Sequence, residues 1–167
     1  CRLLDEVVKE IQGIEVKEEQ DIQIDIDVSS YIPDSFIDNN SQKIEIYQNI
    51  ALCRTEEDIQ NVIDEIIDRY GHMPSELENL IEIARIKNLC RVANVIKISQ
   101  RKEKVVFYFD KAKFNPEIVD KLIKKYNTNI RFSTGIEPYV TVTIGSKIIE
   151  EIKEFLTYIQ NCTTSSM

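Results

Sequence analysis

The sequence predicts an α+β domain in which a helical first half packs against a small mixed β-sheet in the second half, ordered β-β-α-β-β-α. Three observations predict it. Up to about residue 95 most apolar side chains recur every three or four positions, the period of a half-buried helix. Beyond that point short alternating runs appear in pairs, separated by helical stretches. The few breakers, four glycines and four prolines in 167 residues, punctuate the chain instead of filling linkers.

Leu3, Leu4, Val7, Val8 and Ile11 repeat at helical spacing from the outset and run out near Gly13. Residues 1–14 are therefore expected to be the end of a helix entering from a preceding, removed domain. Residues 15–161 form the domain itself, and the polar residues 162–167 a frayed tail. Residues 21–28 alternate strictly between aspartate or glutamine and isoleucine or valine, which predicts a strand with one wet, acidic face. Side chains two apart on a strand stand ~6.6 Å from one another, too far to chelate one ion, so these carboxylates read as a solvated edge.

An apolar turn follows at Tyr31-Ile32-Pro33 and Phe36-Ile37. Residues 43–53 carry both periods, and the helical one is preferred, with Ser41 as its cap. The next helix is unambiguous. Thr55 caps it, Glu56, Glu57 and Asp58 fill its positive first turn, and Ile59, Val62, Ile63, Ile66, Ile67 and Tyr70 form one apolar stripe. Gly71 supplies a left-handed exit, and Pro74 pre-sets the first turn of a helix reaching about Val95. In that helix the stripe shifts from Leu77, Leu80, Ile81 and Ala84 to Ile83, Ile86, Cys90 and Ala93, the mark of a central helix packed on two sides.

Residues 95–99 and 105–109 read as strands joined by a charged turn. Asn115 caps a helix with Pro116 at its first position, and Ile118, Val119, Leu122, Ile123 and Tyr126 face inward. Two strands follow, over residues 130–133 and 139–144, and a last amphipathic helix carries Ile148, Ile149, Ile152, Leu156 and Ile159.

Composition narrows the function. Apolar residues make up 43% of the chain, enough for a core without staples, and no run approaches the ~20 residues of a membrane span. The formal net charge of −8 repels phosphate backbones and argues against direct DNA binding by this module, although short basic stretches occur at residues 97–104 and 121–125. Cys1, Cys53, Cys90 and Cys162 are scattered and His72 is the single imidazole, so no zinc pattern exists and the thiols read as reduced and cytosolic. No phosphate loop, dinucleotide fingerprint or nucleophile elbow is present. His72, in the corner Gly71-His72-Met73-Pro74, has no nucleophile to serve. The fragment is expected to be neither an enzyme nor a cofactor binder.

One constellation stands out. Glu65, Asp68 and Arg69 lie at i, i+3 and i+4, on a helix face roughly opposite the stripe. Glu65 and Arg69 can pair for about 0.2–0.5 kcal/mol. Asp68 sits in the last turn, against the negative end of the helix dipole, a cost on the order of 0.3–1 kcal/mol unless a cation relieves it. Arg69 or a partner's arginine would do so. The bland alternative is an ordinary solvated charged face.

Asp68-Arg69-Tyr70-Gly71-x-x-Pro74, then Asn79-Leu80 and Ala84-Arg85-Ile86, resemble the signature of the C-terminal domain of bacterial transcription-repair coupling factors (Mfd). Upstream, Tyr31-Ile32-Pro33, Phe36-Ile37 and Lys43-Ile44-x-x-Tyr47-x-x-Ile50-Ala51 agree with it, from about residue 1 to 110. The last third is similar only in its pattern of elements. Gln48 and Asn49 depart, standing where basic residues are expected.

The resemblance implies a cytoplasmic regulatory domain of an ATP-driven double-stranded DNA translocase that displaces stalled RNA polymerase and recruits UvrA for nucleotide excision repair. The ATP and magnesium sites would lie in the upstream motor. It further implies a latch: the domain docks on the N-terminal UvrA-binding module of the same protein and masks it. By position, Glu65, Asp68 and Arg69 would supply the docking face, with Tyr70, Gly71 and Pro74 as the structural corner beneath it. The rival readings are a constitutive module contacting RNA polymerase or repair partners, and an element that helps the motor grip DNA.

Overall fold

The computed structural model describes residues 22–165, so the helix expected over residues 1–14 lies outside the described residues. Five helices and a five-stranded mixed sheet follow: β1 (Gln23–Asp25), α1 (Asn40–Leu52), α2 (Glu56–Tyr70), α3 (Ser75–Ala93), β2 (Val95–Arg101), β3 (Lys104–Phe109), α4 (Glu117–Tyr126), β4 (Ile130–Thr134), β5 (Pro138–Thr143) and α5 (Ile148–Ser165). The expected class and the β-β-α-β-β-α order of the second half are both found.

The sheet runs β1-β2-β3-β5-β4, antiparallel except where β1 joins β2 in parallel. The acidic strand of the first half is thus recruited to the edge of the second half's sheet. It is shorter than its alternation predicts. Only three residues pair, and the Val28 amide donates to the Ile26 carbonyl in a tight turn just beyond them. Gln23 and Asp25 are exposed, and Ile24 is half-buried against the core.

Two apolar cores share one helix. The smaller gathers Ile32 and Ile37 from the loop, Ile46 and Ile50 from α1, Ile59 and Ile66 from α2, and Leu77 and Ile81 from α3. The larger sets Ile86, Cys90 and Ala93 of α3, with α4 and α5, against one face of the sheet, where Phe107 stacks on Phe155 at 4.2 Å. The shifting stripe of α3 follows from this: its first turns face one core and its last turns the other.

The termini of the elements correct the sequence reading in several places. Asn39, extended at φ −78° and ψ 120°, caps α1 by accepting from the Gln42 amide at 3.0 Å, so Ser41 already lies inside the helix. Pro74 occupies the cap position of α3, which begins at Ser75 and ends at Ala93. Asn94 then turns left-handed (φ 63°, ψ 33°), which a short polar side chain tolerates, and frees Val95 to open β2. Asn115 accepts from the Glu117 amide at 3.0 Å, but α4 begins at Glu117 with Pro116 in the cap position, one residue later than expected. Ile67 is 48% exposed and lies outside the stripe of α2. Helix α5 continues to Ser165 with Cys162 buried in the larger core, so the expected fraying does not begin at residue 162. The polar letters of that segment hid one apolar anchor a helical turn beyond Ile159.

Candidate docking face

The helix that carries the candidate face is fixed at both ends. Thr55 Oγ1 accepts from the Asp58 amide at 3.0 Å, and Asp58 Oδ2 accepts from the Thr55 and Arg54 amides at 3.1 and 3.0 Å, a closed capping box. Those two amides hold the Asp58 carboxyl below its ordinary value. Underneath, Ile59 and Ile66 are each 2% exposed. At the other end the Gly71 amide closes the last turn on the Ile67 carbonyl at 2.9 Å.

On this platform Glu65, Asp68 and Arg69 are all exposed. Arg69 Nη1 lies 3.4 Å from Glu65 Oε1 and 3.8 Å from Glu45 Oε1 of α1, and its guanidinium rests 5.1 Å from the Tyr70 ring centroid. The face therefore spans two helices. Glu45, twenty-four positions upstream of Arg69, carried no local signal; only the packing of α1 on α2 brings it in. Arg69 is turned toward two carboxylates other than Asp68. Among the described residues Asp68 has no cation, hydrogen-bond donor or other partner, and its charge opposes the helix dipole unrelieved. These exposed pairs contribute only about 0.2–1 kcal/mol each to stability, so the face is nearly free to exchange partners.

Beside Glu65, between the end of α1 and α2, an open cleft of about 360 Å³ is lined by Asn49, Leu52, Cys53, Asp58 and Asn61. Leu52 is 71% exposed at its rim. Burial and the neighbouring Asp58 carboxylate both push the Cys53 thiol up, and it donates to the Asn49 carbonyl at 3.3 Å, so it stays protonated near neutral pH. His72 is exposed in its corner. Among the described residues no group of three or more His, Cys, Asp or Glu side chains is placed to hold a metal ion, and no helix is long and apolar enough to cross a membrane.

The signature arginine, Arg85, braces α2 from behind. Its Nε and Nη2 reach both oxygens of Glu56 in the first turn of α2, at 2.7–3.2 Å, while Nη1 pairs with Glu82. Glu82 in turn receives Lys153 of α5. One chain of charges thus ties α2, α3 and α5 across the boundary between the two cores. Burial works against the Glu82 carboxylate, but Lys153 and Arg85 together outweigh it and hold its pKa below the ordinary value. Glu82→Gln is expected to cost on the order of 1–2 kcal/mol at pH 7, between an exposed and a buried pair. Because the folded pKa is depressed, the stabilisation is complete above the unfolded value near ~4.3 and disappears as pH falls through the folded one. Urea melts of parent and variant should therefore stay apart at neutral pH and converge as the pH falls below ~4.3 and through the folded value; a deficit that ignores pH would rule out the charge as its source.

The backbone defines the class first. It matches the crystal structure of the C-terminal domain of a transcription-repair coupling factor with a TM-score of 0.73, over 89% of this chain and 99% of that one, at 21% identity, a likeness of fold alone. The TRCF domain family model matches residues 26–118, more than half of the chain. The transcription-repair-coupling factor of Rickettsia prowazekii (strain Madrid E) is 30% identical over 138 residues, covering 80% of this chain and 12% of that protein. That of Bacillus subtilis (strain 168) is 35% identical over 105 residues, covering 62% and 9%. The chain belongs to the TRCF domain family of transcription-repair coupling factors, as its motifs implied, and spans about a tenth of the length of these relatives.

Proposed function

We propose that this domain is the regulatory latch of a cytoplasmic transcription-repair coupling factor, an ATP-driven DNA translocase that displaces stalled RNA polymerase and recruits UvrA. The latch docks through Glu65, Asp68 and Arg69 on the N-terminal UvrA-binding module of the same protein and masks it until polymerase is engaged. The fragment itself performs no catalysis. The observation that carries the reading is Asp68: an exposed carboxylate at the wrong end of a helix dipole, with Arg69 beside it committed elsewhere. A partner's cation would relieve it on docking. Weak exposed charge pairs on a braced helix suit a contact that must open, since such groups tune specificity and release more than raw affinity.

The test replaces Glu65, Asp68 and Arg69 together with alanine in the full-length protein. Affinity for UvrA should rise at least about tenfold, because a tethered latch acts at roughly millimolar effective concentration. The isolated domain should keep its stability to within about 0.5 kcal/mol, since the buried stripe is untouched. Unchanged UvrA affinity would reject the latch on this face and leave the constitutive contact to polymerase as the better reading.

A further inference from the structure

Helices cover one face of the sheet, and the other face is open among the described residues. Val105, Phe107 and Phe109 of β3 and Val140 and Val142 of β5 enter the larger core, so by the pleat their alternates point away from it. The register places Lys97 and Arg101 of β2 opposite Tyr108 and Lys104 of β3. Tyr108 in turn lies opposite Tyr139 of β5, and Arg131 of β4 lies opposite Thr141. Two tyrosines thus stand side by side on the central strands, ring centroids 5.7 Å apart, with cations around them. Tyr139 is 37% exposed, Arg101, Lys104 and Arg131 are exposed, and Lys97 rests with its Nζ 5.5 Å from the Tyr108 centroid. Ser99 and Val106 form a buried floor between them.

Charge segregates here against the trend of the chain. Lys97, Arg101, Lys104 and Arg131 form no ion pair with any described carboxylate, although the chain carries 29 acidic residues and a formal net charge of −8. Among the described residues, Asp25 stands on the edge strand, Asp27 follows it with its amide 2.6 Å from Gln100 Oε1 of β2, and Glu103 and Glu137 lie in the turns. Counterion release depends on the cations that meet the phosphates, so net charge alone does not decide it.

We propose that this open sheet face binds single-stranded nucleic acid, stacking bases on Tyr108 and Tyr139 and holding phosphates with Lys97, Arg101, Lys104 and Arg131. Stacking tolerates any base and needs unpaired ones, so a duplex, whose base faces are hidden, is a poor ligand. A polyanion without bases, such as polyglutamate, would engage the cations but have nothing to stack on the two rings.

The test is fluorescence anisotropy of the 167-residue chain with labelled 12-nucleotide thymidine DNA, uridine RNA of the same length, a duplex DNA and polyglutamate. Binding of either single strand supports the proposal, and their ratio assigns the source. Affinity should fall about 20- to 50-fold between 50 and 200 mM salt for three or four phosphate contacts. Tyr108→Ala and Tyr139→Ala should each cost at least about fivefold, while Tyr108→Phe and Tyr139→Phe keep binding to within about twofold. Lys97→Gln with Arg131→Gln, which leave the rings and the floor in place, should reduce the salt slope by about 1.4. No binding at about 1 mM protein, equal binding of the duplex or of polyglutamate, or alanine variants that fold by circular dichroism and bind as the parent does, would each overturn it.

Discussion

Ile86→Ala is expected to destabilise the chain by about 2–5 kcal/mol, and Leu77→Ala by a similar amount, although the two side chains belong to different cores. Each is fully buried and each leaves a cavity that its neighbours fill only in part. What makes the pair informative is that both stand on α3. Leu77 packs among α1, α2 and the Tyr31–Ile37 loop, while Ile86 packs against the sheet and α5. If α3 transmits order between the cores, either substitution lowers the stability of the whole chain, and far-UV circular dichroism and tyrosine fluorescence melt together in both variants. The link has three physical parts: the continuous hydrogen bonding of α3, the charge chain from Glu56 through Arg85 and Glu82 to Lys153, and the Asn79 amide that ties Ser29 to α3 at 2.9 Å. Separate transitions for the two variants would show that the cores fold independently. A cost under about 1 kcal/mol for both would mean that the sites collapse around the missing methyl groups.

The parts of this fold that were legible in the sequence are those encoded locally. Thr55, the acidic first turn and the Ile59/Ile66 stripe defined α2 because cap, dipole and period agree within fifteen residues. The two faces of α3 were visible because a stripe that rotates along a helix has no other economical explanation. Long-range consequences were not. Nothing near residues 21–28 says that three of them will add to the edge of a sheet built by residues 95–143, and the cap of α1 falls on Asn39 instead of the expected Ser41 because the path of the backbone decides it. In the candidate face, the spacing of Glu65, Asp68 and Arg69 was enough to place them on one exposed surface. Glu45 and the cleft beside Leu52 required the packing of α1 on α2. The same limit applies to charge. The chain total of −8 argued against nucleic acid, but a total cannot say that four cations gather on one sheet face around two tyrosines.

Gly71→Ala should cost about 1–3 kcal/mol, the largest effect expected from a single substitution outside the two cores, whereas Gly135→Ala should be nearly neutral or stabilise slightly. The contrast isolates backbone conformation, since a Cβ built at either glycine meets nothing within 4 Å. Gly71 sits at φ 92° and ψ −154°, a region open to glycine and almost closed to any residue with a Cβ. This differs from the left-handed exit that a glycine after a helix leads one to expect: φ is positive, but ψ swings the chain to extended and aims it at Pro74 two residues after His72. The swing lets α3 start almost at once and return alongside α2, so the strain would be felt where the candidate face is anchored. Gly135, in the β4–β5 turn, has no positive φ and loses only unfolded-state entropy when a methyl is added. Chemical denaturation of both variants measures the difference directly. Equal effects at the two sites would mean that the α2–α3 corner relaxes to an ordinary turn at little cost, and that its glycine is not what holds α2 against α3.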